Sequence, residues 1–373
     1  MAVSSPSRAE ARFKQICCLA LAGEALIPAL LTELHIMVPY YWARVFLIDE
    51  SGRITNSYDE HPDAHLNAAV YWQEFHGRPG RELGGTFPDI IRTQIGVRDF
   101  EETLGPLKID LNSFHRSDFY NLIYRTTQID LFMRLIVREG GRGRPLGVVT
   151  MHRALGDDRW TAEEKRKLGD LEPFFAHAMT TRGKGDAPLA DSGRNGLIVA
   201  DRAGKMILFS AQGGQLLFLA MHERVAPGAT FGRSIVLPPQ VVKLCRDLSR
   251  IFADDPTALA PTYHHRNAWG GFQFRAHWLD RSDPDSGLIG ITVSHEEPLP
   301  IKLMRRVGEL PLSPRQAEVC MLMATGASNE KIADRLGISR HTAIAHGRWI
   351  YNKLDVHNRT ELVNKLLSVQ AMN

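Results

Sequence analysis

The 373-residue sequence predicts an α+β protein in which two antiparallel-sheet domains precede an all-α C-terminal domain. Two separate sets of short β-branched and aromatic stretches, interrupted by Gly-containing turns, predict the two sheets. A dense series of helix start and stop signals begins near residue 312 and predicts the all-α domain. The length of the chain allows two or three domains, each with its own buried core.

The first domain is expected over residues 1–180. A capping box at Ser7–Glu10 predicts a helix that continues to about Leu34. A second capping box, Thr161–Glu164, predicts a helix that ends near Met179. Residues 63–128 are expected to be mostly helical with loops. The strands of this domain are expected at 40–49, 54–58, 131–138 and 146–152, the last two joined by a Gly-rich hairpin turn.

A polar, Gly-rich connector at 182–193 leads to a second small α+β domain at 194–297. Its predicted order is two strands, two helices and three further strands. The strands are expected at 197–200, 206–209, 261–267, 271–279 and 288–294, and the helices at 212–222 and 239–252. Pro298 and Pro300 end the last strand, and a short basic helix within the linker 298–311 is expected to connect the sheet to the C-terminal domain mechanically.

The C-terminal domain, residues 312–373, contains three clear helix caps. Ser313 followed by Pro314 predicts a helix that ends at Gly326. Ser328 predicts a short helix that ends at Gly337, and Ser339 predicts a longer one to about Leu354. Two helices joined by a tight, Gly-containing turn form a helix-turn-helix, whose second helix enters the major groove of DNA.

One face of this longer helix is apolar and the opposite face suits base recognition. Ala343, Gly347, Ile350 and Leu354 share the inward face. Arg and Asn side chains pair with guanine and adenine edges, so Arg348 and Asn352 are expected to contact bases, and Lys353, Arg359 and Thr342 phosphates. The full set of candidate DNA contacts is Arg340, His341, Thr342, Ala345, Arg348, Trp349, Asn352, Lys353 and Arg359.

Positive charge is concentrated in the same region. The whole chain carries +3, but residues 301–373 contain eleven Lys/Arg and six Asp/Glu, which gives +5 and leaves −2 for the remainder. The four cysteines form no CxxC pair, which is typical of reduced thiols in a cytoplasmic protein. The apolar run at 16–31 is interrupted and too short to span a bilayer. We therefore expect a cytoplasmic protein.

The C-terminal segment resembles the LuxR-type (GerE-like) DNA-binding domain. The resemblance rests on LSPRQ at 312–316, GASNEKIADRLGIS at 326–339, Thr342, His346 and RTEL at 359–362. It implies a four-helix domain that binds double-stranded DNA, with a second copy of the chain and RNA polymerase as further partners. The family commonly has Val-Lys after the threonine, whereas this chain has Ala343-Ile344, so one usual DNA contact is missing.

The two N-terminal domains have weaker resemblances. Residues 10–180 resemble a GAF-like domain, through GVVTMHR at 147–153 and the helix that follows, and GLIVADRAGKMILFS at 196–210 is similar to PAS-like domains. The resemblance implies sensor domains that control the helix-turn-helix, with an unidentified small-molecule effector. Five aromatic residues are candidate pocket residues, although such side chains are more often core: Tyr41, Trp42, Tyr71, Trp72 and Phe75.

The sequence thus predicts a sequence-specific DNA-binding transcriptional regulator. Two alternatives stay open: N-terminal domains that are structural or partner-controlled and bind no ligand, and a C-terminal bundle that docks a protein. No enzyme signature such as G-x-S-x-G or a P-loop is present. His264–His265 and His295–Glu297 lack the spacing of metal ligands, so neither a metal nor a cofactor is expected.

Overall fold

The computed structural model describes residues 6–19, 21–61, 70–78, 81, 86–181, 183, 187–225, 236–251, 255, 257–279 and 287–368. Two five-stranded antiparallel sheets lie between a pair of N-terminal helices and a C-terminal series of helices. This agrees with the predicted α+β class. No helix in these ranges has the length and apolar character that a membrane crossing requires.

The chain begins with two helices where the capping box predicted one. Helix α1 (Pro6–Cys17) and helix α2 (Gly23–Met37) fold back on each other. The prediction of a single helix was wrong because both helices carry an apolar face, and only a reversal buries both in one core. The Arg12 guanidinium and the Glu33 carboxylate join the two helices through a nearly buried ion pair, with Nη2 2.7 Å from Oε2. Ser7 lies inside α1 and does not cap it.

The first sheet has the strand order β2-β1-β5-β4-β3. Its strands are β1 (Trp42–Ile48), β2 (Ile54–Asp59), β3 (Val97–Asp99), β4 (Ile129–Arg138) and β5 (Pro145–Ala154). Its helices are α3 (Phe87–Thr93), α4 (Phe100–Leu104), α5 (Leu111–His115), α6 (Ala162–Asp170) and α7 (Glu172–Thr180). The three-residue β3 was not predicted because it is too short for a pattern. The predicted helix 161–179 is interrupted at Leu171, just before Pro173.

The second sheet repeats that order as β7-β6-β10-β9-β8. Its strands are β6 (Leu189–Ala200), β7 (Met206–Phe209), β8 (Thr262–Asn267), β9 (Gly270–Trp278) and β10 (Ile289–Pro298), and its helices are α8 (Ala211–Met221) and α9 (Pro239–Ile251). Residues 189–193 belong to β6 although they were predicted as connector, because they pair with the end of β10, where Leu189 lies opposite Pro298. Of the rest of that connector, residues 182 and 184–186 lie outside the described residues.

The two sheets share one hydrophobic core. A single buried cluster contains Phe13 of α1, Leu30 of α2, Met133 of the first sheet and Phe272 of the second sheet. The opposite face of the first sheet is covered by two further aromatic and aliphatic clusters. The first sheet is therefore buried on both faces, and the two N-terminal regions form one packed unit.

Five helices complete the chain: α10 (Leu299–Glu309), α11 (Pro314–Ala324), α12 (Asn329–Leu336), α13 (Arg340–Leu354) and α14 (Arg359–Leu367). Ser313, Ser328 and Ser339 each accept a backbone N–H bond as the N-caps of α11, α12 and α13, which confirms the predicted caps. Gly337 ends α12 with a backbone φ of +61°, a conformation that residues with a Cβ atom rarely adopt.

Helix α10 joins the two cores through two neighbouring faces. Ile301 and Met304 are buried in the core shared by the sheets. Leu303 and Val307 are buried in a separate core formed with the C-terminal helices. The helix that was predicted as a mechanical link therefore packs against both the core shared by the sheets and the C-terminal core.

Candidate functional site

The inward face of α13 is the predicted one. Ala343, Gly347, Ile350 and Leu354 are all buried. Ile350 is fully enclosed among the C-terminal helices. Because these four residues fix the rotation of the helix, the side chains on the opposite face point away from the core.

The outward face carries side chains that are free to bind. Arg348, Trp349, Asn352 and Lys353 are exposed, and 68 % of the Trp349 side-chain surface is accessible. Within the described part of the chain, the side chains of Arg348, Asn352 and Lys353 form no hydrogen bond or ion pair. His341 is also exposed, while Thr342 and Ala345 are half-buried. The structure thus brings the predicted base-contacting residues together on one accessible surface.

The N-terminal end of α13 is tied to α12 by polar contacts. The Arg340 guanidinium lies 2.5 Å from the Glu330 carboxylate, and both side chains are exposed. Such exposed pairs contribute little, typically below about 1 kcal/mol, so Arg340 could exchange this partner for a phosphate at small cost. The Thr342 hydroxyl lies 2.7 Å from the Ser339 hydroxyl, next to the cap of the helix.

Arg359 has a structural contact that the sequence did not indicate. Its guanidinium donates to the Ala327 carbonyl at 2.6 Å. Arg315 and Lys365 likewise donate to carbonyls at helix ends, those of Leu336 and Leu354. These cations satisfy carbonyls that helices leave unpaired. Arg359 has further N–H donors, so its role as a phosphate contact stays a prediction.

Two cations on α12 were missed by the sequence interpretation. Lys331 and Arg335 are exposed, and their side chains make no hydrogen bond or ion pair with the residues that the structure describes. Their spacing of four residues on one helix is the signal that could have identified them. They add positive charge to the helix that precedes α13.

The aromatic pocket candidates are divided by the structure. Trp42 and Tyr71 line a cavity of about 60 Å³ on one face of the first sheet, with Arg44 and Arg134 beside them. Tyr41 is exposed, whereas Trp72 and Phe75 pack close by without lining that cavity. A space of this size has room for only a few water molecules.

A larger cavity of about 310 Å³ lies between the two sheets and was not predicted. It is lined by Ala25, Pro28, Ala29, Thr32, Tyr58, Glu60, Ser192, Arg194, Gln215, Trp269, His295, Glu297, Pro298 and Arg305. These residues come from both sheets, from α2, α8 and α10, and from short connecting segments. No local spacing could have identified the cavity, because its charged residues lie far apart in the sequence.

Burial dominates the titration of the groups around this cavity. It raises the pKa of Glu60 to about 7, although the Ala43 N–H donates a hydrogen bond to the carboxyl group. Burial also raises the pKa of Glu297, against the effect of Arg305. The His295 pKa is lowered to about 4, mainly by burial. The His295 side chain is therefore neutral near pH 7, and the Glu60 carboxyl group is partly protonated.

His295 is engaged in hydrogen bonds through both ring nitrogens. Nδ1 lies 2.9 Å from the Ser192 hydroxyl and Nε2 lies 2.9 Å from the Trp269 carbonyl. The neighbouring Glu297 is paired with Arg305 instead. Among the described residues, no group of three or more His, Cys, Asp or Glu side chains is placed to hold a metal ion.

Comparison with known proteins identifies the C-terminal segment. Residues 310–366 match the GerE family, described as bacterial regulatory proteins, luxR family. The segment is 39% identical over 56 residues to the Fimbriae Z protein of Salmonella typhimurium, covering 15% of this chain and 27% of that protein. It is 41% identical over 56 residues to the uncharacterized response regulatory protein YgeK of Escherichia coli, covering 15% and 38%.

These similarities do not extend to the N-terminal unit. The chain spans only 27% and 38% of the length of those two relatives. A solved structure of SdiA in complex with octanoyl-rac-glycerol aligns with 96% of this chain and 86% of its own, but at 11% identity and a TM-score of 0.26 it supports no argument about fold. The caps, the buried face of α13 and the family match agree over one region, and residues 310–366 are similar to the luxR-family domain.

Proposed function

We propose that the protein is a sequence-specific DNA-binding transcriptional regulator that acts in the cytoplasm. The observation that carries the proposal is the exposed face of α13, in the segment that matches the luxR family. There Arg348, Asn352 and Lys353 are accessible, and their side chains are unpaired among the described residues. Side chains of these types bind base edges and phosphates. An enzyme activity has no comparable support in the chain.

In this proposal α13 lies in the major groove. Arg348 and Asn352 contact base edges, because both project from the face opposite Ile350. Lys353 and Thr342 contact phosphates on either side. Lys331 and Arg335 of α12 supply further positive charge towards the backbone.

Binding-site selection followed by gel shifts at several salt concentrations tests the proposal. We expect a defined preferred sequence and an affinity that falls steeply as salt rises, because phosphate contacts release counterions. Absence of DNA binding even at low salt would favour a protein-docking role for the C-terminal helices. The Arg166→Ala variant is the control, because Arg166 is an exposed residue of α6 and this variant should retain DNA binding.

The N-terminal unit is proposed to control this activity as a pair of sensor domains, GAF-like and PAS-like. Support comes from the two sheets of identical strand order, from the cavities beside them, and from α10, which is buried in both cores. A ligand or partner that alters the packing of α10 would reposition the C-terminal domain.

A homodimer is proposed because helix-turn-helix readers commonly bind two half-sites related by a twofold axis. Light scattering of the protein with and without DNA measures the stoichiometry, and footprinting measures the spacing of the half-sites. One chain bound to an asymmetric site would contradict the dimer. RNA polymerase is the further partner expected of a transcriptional activator, and pull-down with the purified enzyme tests it.

A further inference from the structure

We propose that the cavity between the two sheets binds a small zwitterion of amino-acid size, with one ammonium and one carboxylate group. The cavity is about 310 Å³, near the lower limit of about 300 Å³ for small-molecule sites. It lies where the first sheet, the second sheet, α2 and α10 meet, so an occupant would contact all four.

The cavity wall offers a buried acceptor that lacks a partner among the residues that the structure describes. Glu297 is 7% exposed, and its Oε2 atom lies 2.5 Å from the Arg305 guanidinium. Its Oε1 atom is buried and has no hydrogen-bond partner among the residues that the structure describes. A buried acceptor without a partner is costly, whereas an ammonium group would donate to it and bring compensating charge. Glu60 provides a second carboxyl group on the cavity wall.

The cavity wall also offers donors. Arg194 donates one hydrogen bond to the Gln215 side-chain oxygen at 2.9 Å. It forms no ion pair with any carboxylate in the described ranges. A guanidinium carries several N–H donors in a planar fork that matches a carboxylate. Gln215 in turn donates to the Asp59 and Glu60 carbonyls, which fixes Arg194 against the edge of the first sheet.

Charge balance favours a ligand without net charge. The cavity wall carries two carboxyl groups, Glu60 and Glu297, and two guanidinium groups, Arg194 and Arg305. A ligand with only an ammonium or only a carboxylate would leave an unbalanced charge in a largely buried site. Ala25, Pro28 and Ala29 of α2 form an apolar wall that suits a side chain.

The occupant would act on the link to the C-terminal domain. Arg305 lies on α10, between Leu303 and Val307, which are buried in the C-terminal core. An ammonium at Glu297 Oε1 would share the carboxylate that Arg305 holds through Oε2, and would therefore alter how α10 is held. This consequence rests on the proposed regulatory function, whereas binding of the zwitterion does not depend on it.

Isothermal titration of the full chain with the standard α-amino acids tests the binding. For each binder, two analogues are titrated: the amine without the carboxylate and the acid without the ammonium. We expect at least one amino acid to bind, and both of its analogues to bind at least tenfold more weakly. Analogues that bind as tightly as the parent, or a panel in which nothing binds, would overturn the proposal using the native protein alone.

Two substitutions assign the ends of the ligand. Glu297→Gln should weaken the parent amino acid at least tenfold while it affects the acid analogue little. Arg194→Gln should also weaken the parent at least tenfold, while it affects the amine analogue little. Glu163→Gln, on the exposed surface of α6, is the matched control. Parent affinity unchanged in both cavity variants would place the ligand elsewhere. Gel shifts are run separately, so amino-acid binding without DNA binding would contradict only the proposed regulatory function.

Discussion

The recognition helix and the inter-sheet cavity hold their functional side chains in opposite ways. On α13, fifteen consecutive residues present Arg348, Asn352 and Lys353 to solvent, without side-chain partners among the described residues. In the cavity, Glu297 is buried, and Glu60, Arg194 and Arg305, which come from three other elements or connecting segments, are half-buried. A surface reader needs only one well-placed helix, because exposed charges cost little. Burying charged groups is energetically unfavourable, so the packing of the whole N-terminal unit must offset the desolvation of the cavity residues.

The largest difference should appear between the two faces of α13. Replacing Ile350, which is fully buried, with Ala should cost about 2–5 kcal/mol of stability in the C-terminal domain and abolish DNA binding. Trp349→Ala should change stability by less than about 0.5 kcal/mol, because this side chain is exposed. Urea unfolding followed by near-UV circular dichroism measures both. Equal losses in the two variants would contradict the assigned faces.

The buried charges of the cavity should give a pH-dependent stability. Burial raises the Glu60 pKa to about 7, so the folded state binds this proton more tightly than the unfolded state. The free energy of unfolding that protonated Glu60 contributes is therefore lost as pH rises from about 4.5 to 7. The stability of Glu60→Gln relative to the native chain should increase by about 2 kcal/mol between pH 5 and pH 8.

Denaturant unfolding of the native chain and Glu60→Gln at the two pH values measures this difference. Comparing the two proteins removes the opposing contribution of His295, whose lowered pKa makes stability rise with pH from about 4 to 6.5. Glu163→Gln serves as an exposed control. Parallel pH dependence of the native chain and the Glu60 variant would show that Glu60 is not buried as described.

Arg348 should contribute specificity without contributing stability. Arg348→Ala should cost about 1–3 kcal/mol of DNA-binding free energy and relax the preference at particular base pairs. Lys353→Ala should instead weaken binding to all sequences and reduce the salt slope by about 1. Binding-site selection distinguishes the two variants. Unchanged specificity in Arg348→Ala would remove this residue from base recognition.

Gly347 should be replaceable with a gain in stability. An added Cβ would lie 3.6 Å from the Met323 side chain, an ordinary van der Waals distance. Gly347→Ala should therefore stabilise the C-terminal domain by about 1 kcal/mol through helix propensity. Thermal unfolding checks this expectation, with Gly337→Ala as the contrasting variant, since Gly337 has φ +61° and should lose stability.

The smallest effect is expected at Ile344, which is half-buried on α13. Ile344→Lys restores the residue type common in LuxR-type domains and should strengthen DNA binding severalfold, with a salt slope steeper by about 0.9. Gel shifts across a salt series measure both quantities. Weaker binding would mean that this side of the helix does not approach phosphates.

The sequence predicted the C-terminal helices better than the arrangement of the N-terminal region. Ser313, Ser328 and Ser339 mark their helices through bonds to the adjacent backbone, so a few neighbouring residues contain the full signal. The other strands of both sheets were also placed close to their observed bounds, but β3 and the first residues of β6 were missed. The reversal between α1 and α2 was missed because apolar spacing continues through it.

The sequence alone determined the helix caps, the inward and outward faces of α13 and the strand hairpins, because each depends on contacts between residues close in the chain. Only the tertiary structure decided that the two sheets share one core and that α10 packs into both this core and the C-terminal core. It also decided that Glu60, Arg194 and Glu297 line one cavity. The contacts between the two sheets join residues more than a hundred positions apart. They depend on how the sheets pack, which no local pattern records.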